Sequence, residues 1–306
     1  MNFKIFLFSL TLLFTQFAHS KTDLNLNLKL GETYHQTMST ESIINQLESK
    51  NNQDLILTMN GSIAYKVNSI KQGNYYLDVV YDSLGMNMTI PGYTMNYSSE
   101  KTNSEDDYIS ILLSELKDKN FKIVMTTKGK ILEVTNLDNS FESAIEKLKD
   151  LDEKTRNKLE SDLKNAFGKE SFKNSFETIT AIYPPEPVEI GRQWKAEVIL
   201  NHNMPIKINN IYKFEAETDD FYLITGIGSL ISTKPIDNSL KNSTPFAYEL
   251  TGVTSSKIKI DKKTGWIKEA IIRQNMEGFS ILKSELSKEN PKKVGMEFKI
   301  TTTFRD

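Results

Sequence analysis

Apolar and polar residues alternate along much of this chain, a pattern typical of strands with one buried face. Residues 24–30 carry a leucine at every second position, so as a strand they would turn all four leucines to one side. The same alternation continues on both sides of the middle of the chain. It predicts further strands over residues 62–69, 74–83, 121–127, 130–135, 193–200, 208–217, 221–231, 248–261, 266–274 and 295–304.

A helical pattern separates these two groups of strands. Phe141, Ile145, Leu148 and Leu151 are spaced by four, three and three residues. The apolar stripe continues to residue 167, with lysine and glutamate on the opposite face, as in an amphipathic helix.

The ends of the helical region are marked by residues that cap or break helices. Asn139-Ser140 predicts its N-cap, and Gly168 predicts a stop. The proline-rich residues 183–187 fit neither a helix nor a central strand, so they mark the best domain boundary in the chain. A shorter helix is predicted near residues 105–118.

The two groups of strands resemble each other in sequence. Each opens on an apolar-Gly-x-x-aromatic pattern, at residues 30–34 and 190–194, and each ends with a glycine hairpin turn. Between these points, Tyr65-Lys66-Val67 matches Tyr212-Lys213-Phe214, and residues 75–83 match residues 221–229. Four matches in the same order favour a duplication, and two copies make a tandem pair rather than a solenoid.

These patterns predict a β-dominated α+β fold. We expect a tandem pair of antiparallel, curved sheet domains with an amphipathic helical segment between them. The first β-rich repeat spans residues 22–138, the helical connector residues 139–183, and the second repeat residues 186–306. The connector should lay its apolar stripe on the sheets, because an isolated amphipathic helix is only marginally stable.

Residues 1–20 have the layout of a secretory signal peptide. Lys4 supplies positive charge, residues 5–14 are mostly apolar, and Ala18-His19-Ser20 is a small-x-small cleavage site before Lys21. No later stretch approaches the roughly twenty apolar residues of a membrane helix. We therefore expect an exported protein whose mature chain has no transmembrane segment.

The chain contains no cysteine, so it has neither disulfides nor a lipid attached to an N-terminal cysteine. Export without disulfides favours the periplasm or the cell surface of a bacterium.

Charge and motif content argue against several classes of function. The net charge is -2, with 38 basic and 40 acidic residues, so no basic surface for nucleic acid is expected. Three histidines and no cysteine provide no short-spaced ligand pair for zinc or copper. We find no nucleophile motif, no phosphate-binding motif and no cofactor motif, and so expect no catalytic residue, no metal and no cofactor.

One stretch has the composition of an apolar binding surface. Met86, Met88, Tyr93, Met95 and Tyr97 lie in a segment without charged residues, although a quarter of the chain is charged. Methionine adapts to varied apolar ligands, so these five residues are candidate ligand contacts, and Pro91-Gly92 between them would allow a hinge. The competing interpretation is a strand pair that packs on the core through a Pro-Gly turn.

The apolar-Gly-x-x-Tyr/Trp openings, the Gly-Asn-Tyr-Tyr-Leu strand, the Pro-Pro-Glu-Pro-Val-x-Ile-Gly-x-x-Trp joint and the Lys-x-Thr-Gly hairpin resemble a family of exported bacterial proteins of unknown function. The resemblance implies envelope export and a duplicated β-rich body. A weaker, architectural likeness is to the periplasmic lipoprotein carriers, where a curved sheet closes over helices around an apolar cavity.

We expect a non-catalytic envelope protein that binds an apolar or amphiphilic component in a sheet concavity. Its partner would be a lipid, an acyl chain or an envelope protein. The alternative is a structural or protein-interaction module of the envelope, and a hydrolase built on carboxylates is a distant third. A deep apolar pocket would favour the first class, and a filled core with an exposed apolar patch the second.

Overall fold

The computed structural model describes residues 21–47, 54–101, 104, 106–148, 150–200, 205–233, 246–282 and 293–306, and the predicted signal peptide lies outside them. The described strands are β1 Thr33–Gln46, β2 Leu55–Lys71, β3 Asn74–Ile90, β4 Tyr93–Ser98, β5 Asn120–Thr126, β6 Ile131–Thr135, β7 Gln193–Leu200, β8 Ile206–Glu217, β9 Phe221–Ser232, β10 Phe246–Asp261, β11 Ile267–Leu282 and β12 Lys293–Arg305. The described helices are α1 Tyr108–Leu116, α2 Leu137–Ile145, α3 Glu153–Phe167 and α4 Lys169–Thr180.

All the described strands form one antiparallel sheet, in the order β6-β5-β3-β2-β1-β12-β11-β10-β9-β8-β7, with β4 paired to the end of β3. The β-dominated α+β class is thus confirmed. The two strand groups are not separate sheets, however, because β1 pairs with β12 from Thr37↔Arg305 to Gln46↔Met296. This pairing satisfies two long strand edges that would otherwise be exposed.

The two halves of the sheet repeat the same strand order, and near their opening turns they also share the same register. Tyr34 lies opposite Tyr65 in the first half, as Trp194 lies opposite Tyr212 in the second. Both halves carry a bulge at the same place between their second and third strands, after Val67 and after Phe214 respectively.

The turn that opens each half is also built alike. Gly31 and Gly191 have φ of 84° and 87°, which glycine adopts without a steric penalty. Each donates its N–H to the second strand, to the carbonyl oxygen of Val67 at 2.9 Å and of Phe214 at 2.7 Å.

The strand register shows that the sequence match between residues 75–83 and 221–229 is shifted by one residue. Leu77 lies opposite Val67, and Ile224 lies opposite Phe214. Leu77 therefore corresponds to Ile224, whereas the sequence match paired it with Leu223. Both strands carry apolar residues on both faces, so composition alone left their register ambiguous.

The leucine-rich residues 24–30 were wrongly predicted to be a strand. Leu24, Leu26 and Leu28 are buried, but Leu30 is 65% exposed. The backbone of this segment forms hydrogen bonds with two hairpin turns instead of with a neighbouring strand. Leu26 N–H donates to Thr127 O at 2.8 Å, and Asn27 N–H donates to Thr264 O at 2.7 Å. We call residues 22–28 the N-terminal strap, because they cross the ends of both halves.

The helical connector consists of three helices rather than one continuous stripe. The predicted cap at Asn139-Ser140 is wrong, because α2 begins at Leu137 after Asn136. The N-cap of α3 is Asp152, whose Oδ1 accepts a hydrogen bond from Thr155 N–H at 3.0 Å. Gly168 ends α3 as predicted and also begins α4.

The short helix predicted near residues 105–118 is α1. It buries Leu112, Leu113 and Leu116, which share one face of the helix.

The core lies between the helices and one face of the sheet, which we call the inner face. Its largest fully buried side chains include Tyr65, Phe121, Phe141 and Phe214, which come from both halves. A second apolar cluster on the inner face of β7–β12 includes Val198, at 8% exposure. This cluster takes side chains from every strand between β7 and β12, so the inner face is apolar across the whole second half.

Candidate ligand cavity

A cavity of about 560 Å³ lies between the inner face of the sheet and helices α3 and α4. Strands β1, β2, β11 and β12 form most of its wall, and β3 contributes Tyr81 and Leu84. The strand positions follow the two-residue period of the sheet, so that Met38, Thr40 and Ser42 of β1 all face the cavity.

Most of the cavity wall is apolar. Met38, Met59 and Ile63 project from the central strands, and Phe172 and Ile179 project from α4. Phe172 belongs to an aromatic group in which its ring lies 5.0 Å from Phe121 and 6.2 Å from Phe176, between centroids. This aromatic packing fixes α4 on the sheet and so defines the depth of the cavity.

No described residue of the cavity wall carries a charged side chain. Two charged residues of α3 and α4 have their partners away from the cavity wall. Lys164 Nζ lies 2.6 Å from Glu160 Oε1, and Glu177 Oε1 accepts a hydrogen bond from Ile131 N–H at 3.0 Å. The wall is thus electrically neutral in a chain of which 25% is charged.

The two tyrosines of the wall are also held neutral. Burial raises the pKa of the Tyr81 hydroxyl. Burial, and secondarily the nearby Tyr81, raises the pKa of Tyr65 well above its ordinary value. A phenolate in this apolar surrounding would lose its hydration, so both side chains keep their protons. Tyr81 donates its proton to the carbonyl oxygen of Phe167, at 3.4 Å.

Uncharged polar side chains interrupt the apolar wall at several depths. Gln36 lies at the end bounded by Tyr65 and is only 4% exposed. Thr40 Oγ1 lies 3.1 Å from Thr302 Oγ1 across the β1–β12 pairing. Gln274 of β11 faces the same space. The wall can therefore accommodate both an apolar group and an uncharged polar one.

The five predicted contact residues lie beside this cavity but do not line it. Met86 and Met88 belong to β3, and Tyr93, Met95 and Tyr97 to β4. Pro91-Gly92 forms the turn between these strands, as the hinge and the core interpretations both required.

Register nevertheless places the five residues on the same side of the sheet as the cavity. Met86 lies opposite Met59, and Met88 opposite Leu57, and both partners line the wall. Met95 and Tyr97 lie opposite Met88 and Met86 in turn. Tyr97 packs against the main core, whereas Tyr93 is 60% exposed. Their contact with a ligand remains a prediction.

Sequence reasoning missed the β1 residues that line the cavity. Alternation failed there because Gln36, Thr40 and Ser42 occupy inner positions where a strand packed on a solid core would carry apolar residues. The available signal was the run of β-branched and polar residues after the Gly31 turn, together with the match between the two openings.

Within the described parts of the chain, no group of three or more potential ligand side chains is arranged to hold a metal ion. His35 Nδ1 lies 3.7 Å from Asp82 Oδ2 on the protein surface, where both side chains are exposed.

One protein family matches residues 72–267 of this chain, which is well over half of the chain's length. The chain belongs to DUF6263, a family of unknown function. The match to DUF6263 includes the strands from β3 onward, the helical connector and the second half up to the Gly265 turn. No curated protein matches the chain.

Some solved structures share features of this DUF6263 fold at low sequence identity. The structure titled "Lipid-protein interactions in lipovitellin" is 10% identical with a TM-score of 0.47, and the match covers 90% of this chain and 25% of that one. The translocator domain of autotransporter NalP from Neisseria meningitidis is 6% identical with a TM-score of 0.21, over 91% and 89% of the two chains. OccK5 from Pseudomonas aeruginosa is 6% identical with a TM-score of 0.24, over 90% and 98%.

The DUF6263 chain thus spans about a quarter of the lipovitellin chain, and at these TM-scores the likeness does not extend to function. Among the helices of the described residues, none is long and apolar enough to cross a membrane.

Proposed function

We propose that this protein binds an apolar or amphiphilic molecule, such as a lipid or an acyl chain, in the cavity between the sheet and helices α3 and α4. The observation that supports this most is the uncharged, largely apolar wall around a space of about 560 Å³. Sites for small molecules commonly have volumes of about 300–1,000 Å³ and apolar walls with a few polar groups.

The energetic argument is the burial of apolar surface. Met38, Met59 and Ile63 are only half-buried although they sit on the inner face. An apolar ligand would remove this surface from water, at roughly 25 cal/mol for each Å² buried. Binding without catalysis fits this wall, because its described residues include no carboxylate, imidazole or thiol.

The second candidate function is a protein-interaction module, and a groove on the outer face of the sheet favours it. Ile211, Ile227 and Val253 are 40%, 65% and 61% exposed there, and Lys195 and Glu197 stand beside them. Exposed apolar patches with polar rims occur at protein contacts.

We also propose that the protein is exported to the bacterial envelope by the sequence-predicted signal peptide of residues 1–20. The N-terminal sequence of protein isolated from a fractionated cell envelope should begin near Lys21. Material from that fraction that still begins at Met1 would contradict the proposal.

A cavity-filling substitution tests the binding site. Gly61 faces the cavity, and a Cβ there would meet its nearest neighbours, Ser83 O and Leu84 Cδ2, at 3.7 and 3.8 Å. Gly61→Leu should therefore fold and project its side chain into the space. We expect it to weaken binding of the uncharged fluorophore N-phenyl-naphthylamine about tenfold or more, measured by fluorescence titration.

Gly85→Leu is the matched control. Gly85 lies opposite Asn60 on the neighbouring strand, so its side chain would face outward, and a Cβ would meet Tyr97 O at an ordinary 3.6 Å. This variant should bind the fluorophore like the original protein. Equal affinity of the two leucine variants would contradict the proposed site, and a lack of binding by the original protein would favour the interaction module.

A further inference from the structure

We infer that the cavity selects amphiphiles whose head group is polar but uncharged, as in an acylglycerol, and that the Gln36 amide binds this head group. The inference rests on the proposed function, because it assigns a ligand class to the same cavity. It depends on three observations. The side-chain amide of Gln36 has no hydrogen-bond partner among the described residues, the wall around it is uncharged, and Gln36 lies at one end of the cavity.

The Gln36 side chain is a buried polar group that faces the cavity. It is 4% exposed and lies opposite Ile63, between inner-face neighbours Tyr34 and Met38. Its amide makes no side-chain hydrogen bond to another described residue. An amide can donate two hydrogen bonds and accept two. The Gln36 amide is not among the described polar atoms that are both fully buried and unpartnered, so its atoms remain accessible from the cavity. A polar group of a ligand could therefore form hydrogen bonds with it directly.

The end of the cavity near Gln36 is closed by aromatic side chains. Tyr65 is fully buried there, and its ring lies 5.2 Å from the ring of Trp266, between centroids. Trp266 in turn packs 5.4 Å from Tyr34 and donates its Nε1–H to the carbonyl oxygen of His35 at 3.0 Å. Gln36 lies next to these aromatic residues on the inner face, and its side chain lines the cavity.

Charge determines which polar group fits beside Gln36. The inner-face positions of β1, β2 and β12 that line the cavity are all uncharged, as are those of β11. A carboxylate or phosphate placed there would lose its hydration with no cation to balance it. An ester carbonyl or a hydroxyl requires only a hydrogen-bond partner, which an amide provides.

Ligands that share one acyl chain but differ in head group test this inference. Monolauroylglycerol, laurate and lauroyl-lysophosphatidylglycerol would each be used to displace N-phenyl-naphthylamine from the full mature chain, at a pH where laurate is ionised. We expect monolauroylglycerol to bind at least about tenfold more tightly than either anionic ligand.

Gln36→Leu removes the amide and keeps a side chain of similar size. It should weaken monolauroylglycerol binding about tenfold and leave laurate binding nearly unchanged, so that the preference disappears. Gln46→Leu is the control, because Gln46 is exposed at the end of the same strand and does not line the cavity. It should preserve the preference.

The outcomes separate this inference from the proposed function. If all three ligands bind equally, or if Gln36→Leu keeps the preference for monolauroylglycerol, the head-group inference is overturned while acyl-chain binding stands. If no ligand displaces the fluorophore from the original protein, the proposed function itself fails. A thermal denaturation curve of Gln36→Leu that matches the original protein shows that the variant is folded.

Discussion

Gly265 shows how a single residue holds the N-terminal strap in place. It occupies the β10–β11 turn with φ of 68°, a conformation that side chains other than glycine adopt with strain. A Cβ added at Gly265 would overlap the carbonyl oxygen of Asn25 in the strap. Tyr183 also donates its hydroxyl proton to the carbonyl oxygen of Gly265, at 2.6 Å. Turn, strap and connector therefore meet at this residue.

We expect Gly265→Ala to destabilise the protein more than a turn substitution normally does. Backbone strain alone costs on the order of 1 kcal/mol, and the Cβ would also displace the strap. Gly73→Ala is the matched control, because Gly73 has a similar φ of 76° but no atom within 4 Å of the added Cβ. Chemical denaturation should give the larger loss for Gly265→Ala, and equal losses would show that the strap is not held at this contact.

Sequence analysis predicted the role of Gly265 in a turn but not the binding role that we assign to Gln36. The need for a positive φ is local and follows from residues 261–265 alone. Whether a polar side chain lies on an inner face depends on which strands are its neighbours. Gln36 faces a cavity because β12, which lies far away in sequence, and α4 enclose it.

At the level of elements, the β3–β4 hairpin connects the predicted contact residues with the cavity. Its inner positions continue the row formed by Leu57 and Met59 of β2. Strand β4 contacts α1, where Ser98 N–H donates a hydrogen bond to Ser110 Oγ at 3.0 Å. The hairpin therefore lies at a margin of the cavity wall, and we predict that it contacts a ligand longer than the cavity.

Replacing Met88 and Met95 with serine tests this position. The two side chains lie opposite each other on the inner side and are only half-buried. We expect the double variant to bind a long-chain monoacylglycerol more weakly, although its melting temperature changes little. The measurements are fluorophore displacement and thermal denaturation.

A control pair lies on the outer side of the same two strands. Asn87 lies opposite Asn96, and both are exposed, so the Asn87→Ser, Asn96→Ser variant should leave binding intact. If the methionine variant simply unfolds, with no separate loss of binding, the hairpin is ordinary core packing.

Most elements were predictable from the sequence, including parts of the cavity-lining strands β2, β11 and β12, but strand β1 was not. Helix α1 and the hairpin of β5 and β6 follow from local periodicity and turn residues. Strand β1 escaped prediction because its inner positions include Gln36, Thr40 and Ser42. A cavity wall does not need the regular apolar alternation that a packed core requires.

At the level of the whole molecule, the sequence indicated two similar halves but not how they join. Strand order, and register near the opening turns, repeat between the halves. Nothing local to β1 or β12 identifies them as neighbours, because either could have remained an edge. Their pairing makes one continuous wall, and the cavity spans that junction with Thr40 on one side and Thr302 on the other.

The pairing of the first strand with the last also determines the order in which the chain can fold. Thr37 donates a hydrogen bond to the carbonyl oxygen of Arg305, 268 residues later, so β12 must be synthesised before β1 can pair with this second neighbour. The N-terminal strap likewise cannot form its hydrogen bond from Asn27 N–H to Thr264 O until the Thr264 turn has been synthesised. Contacts between such distant residues form slowly. During synthesis the sheet therefore remains without its central β1–β12 pairing, and its two halves can join only after β12 has been made.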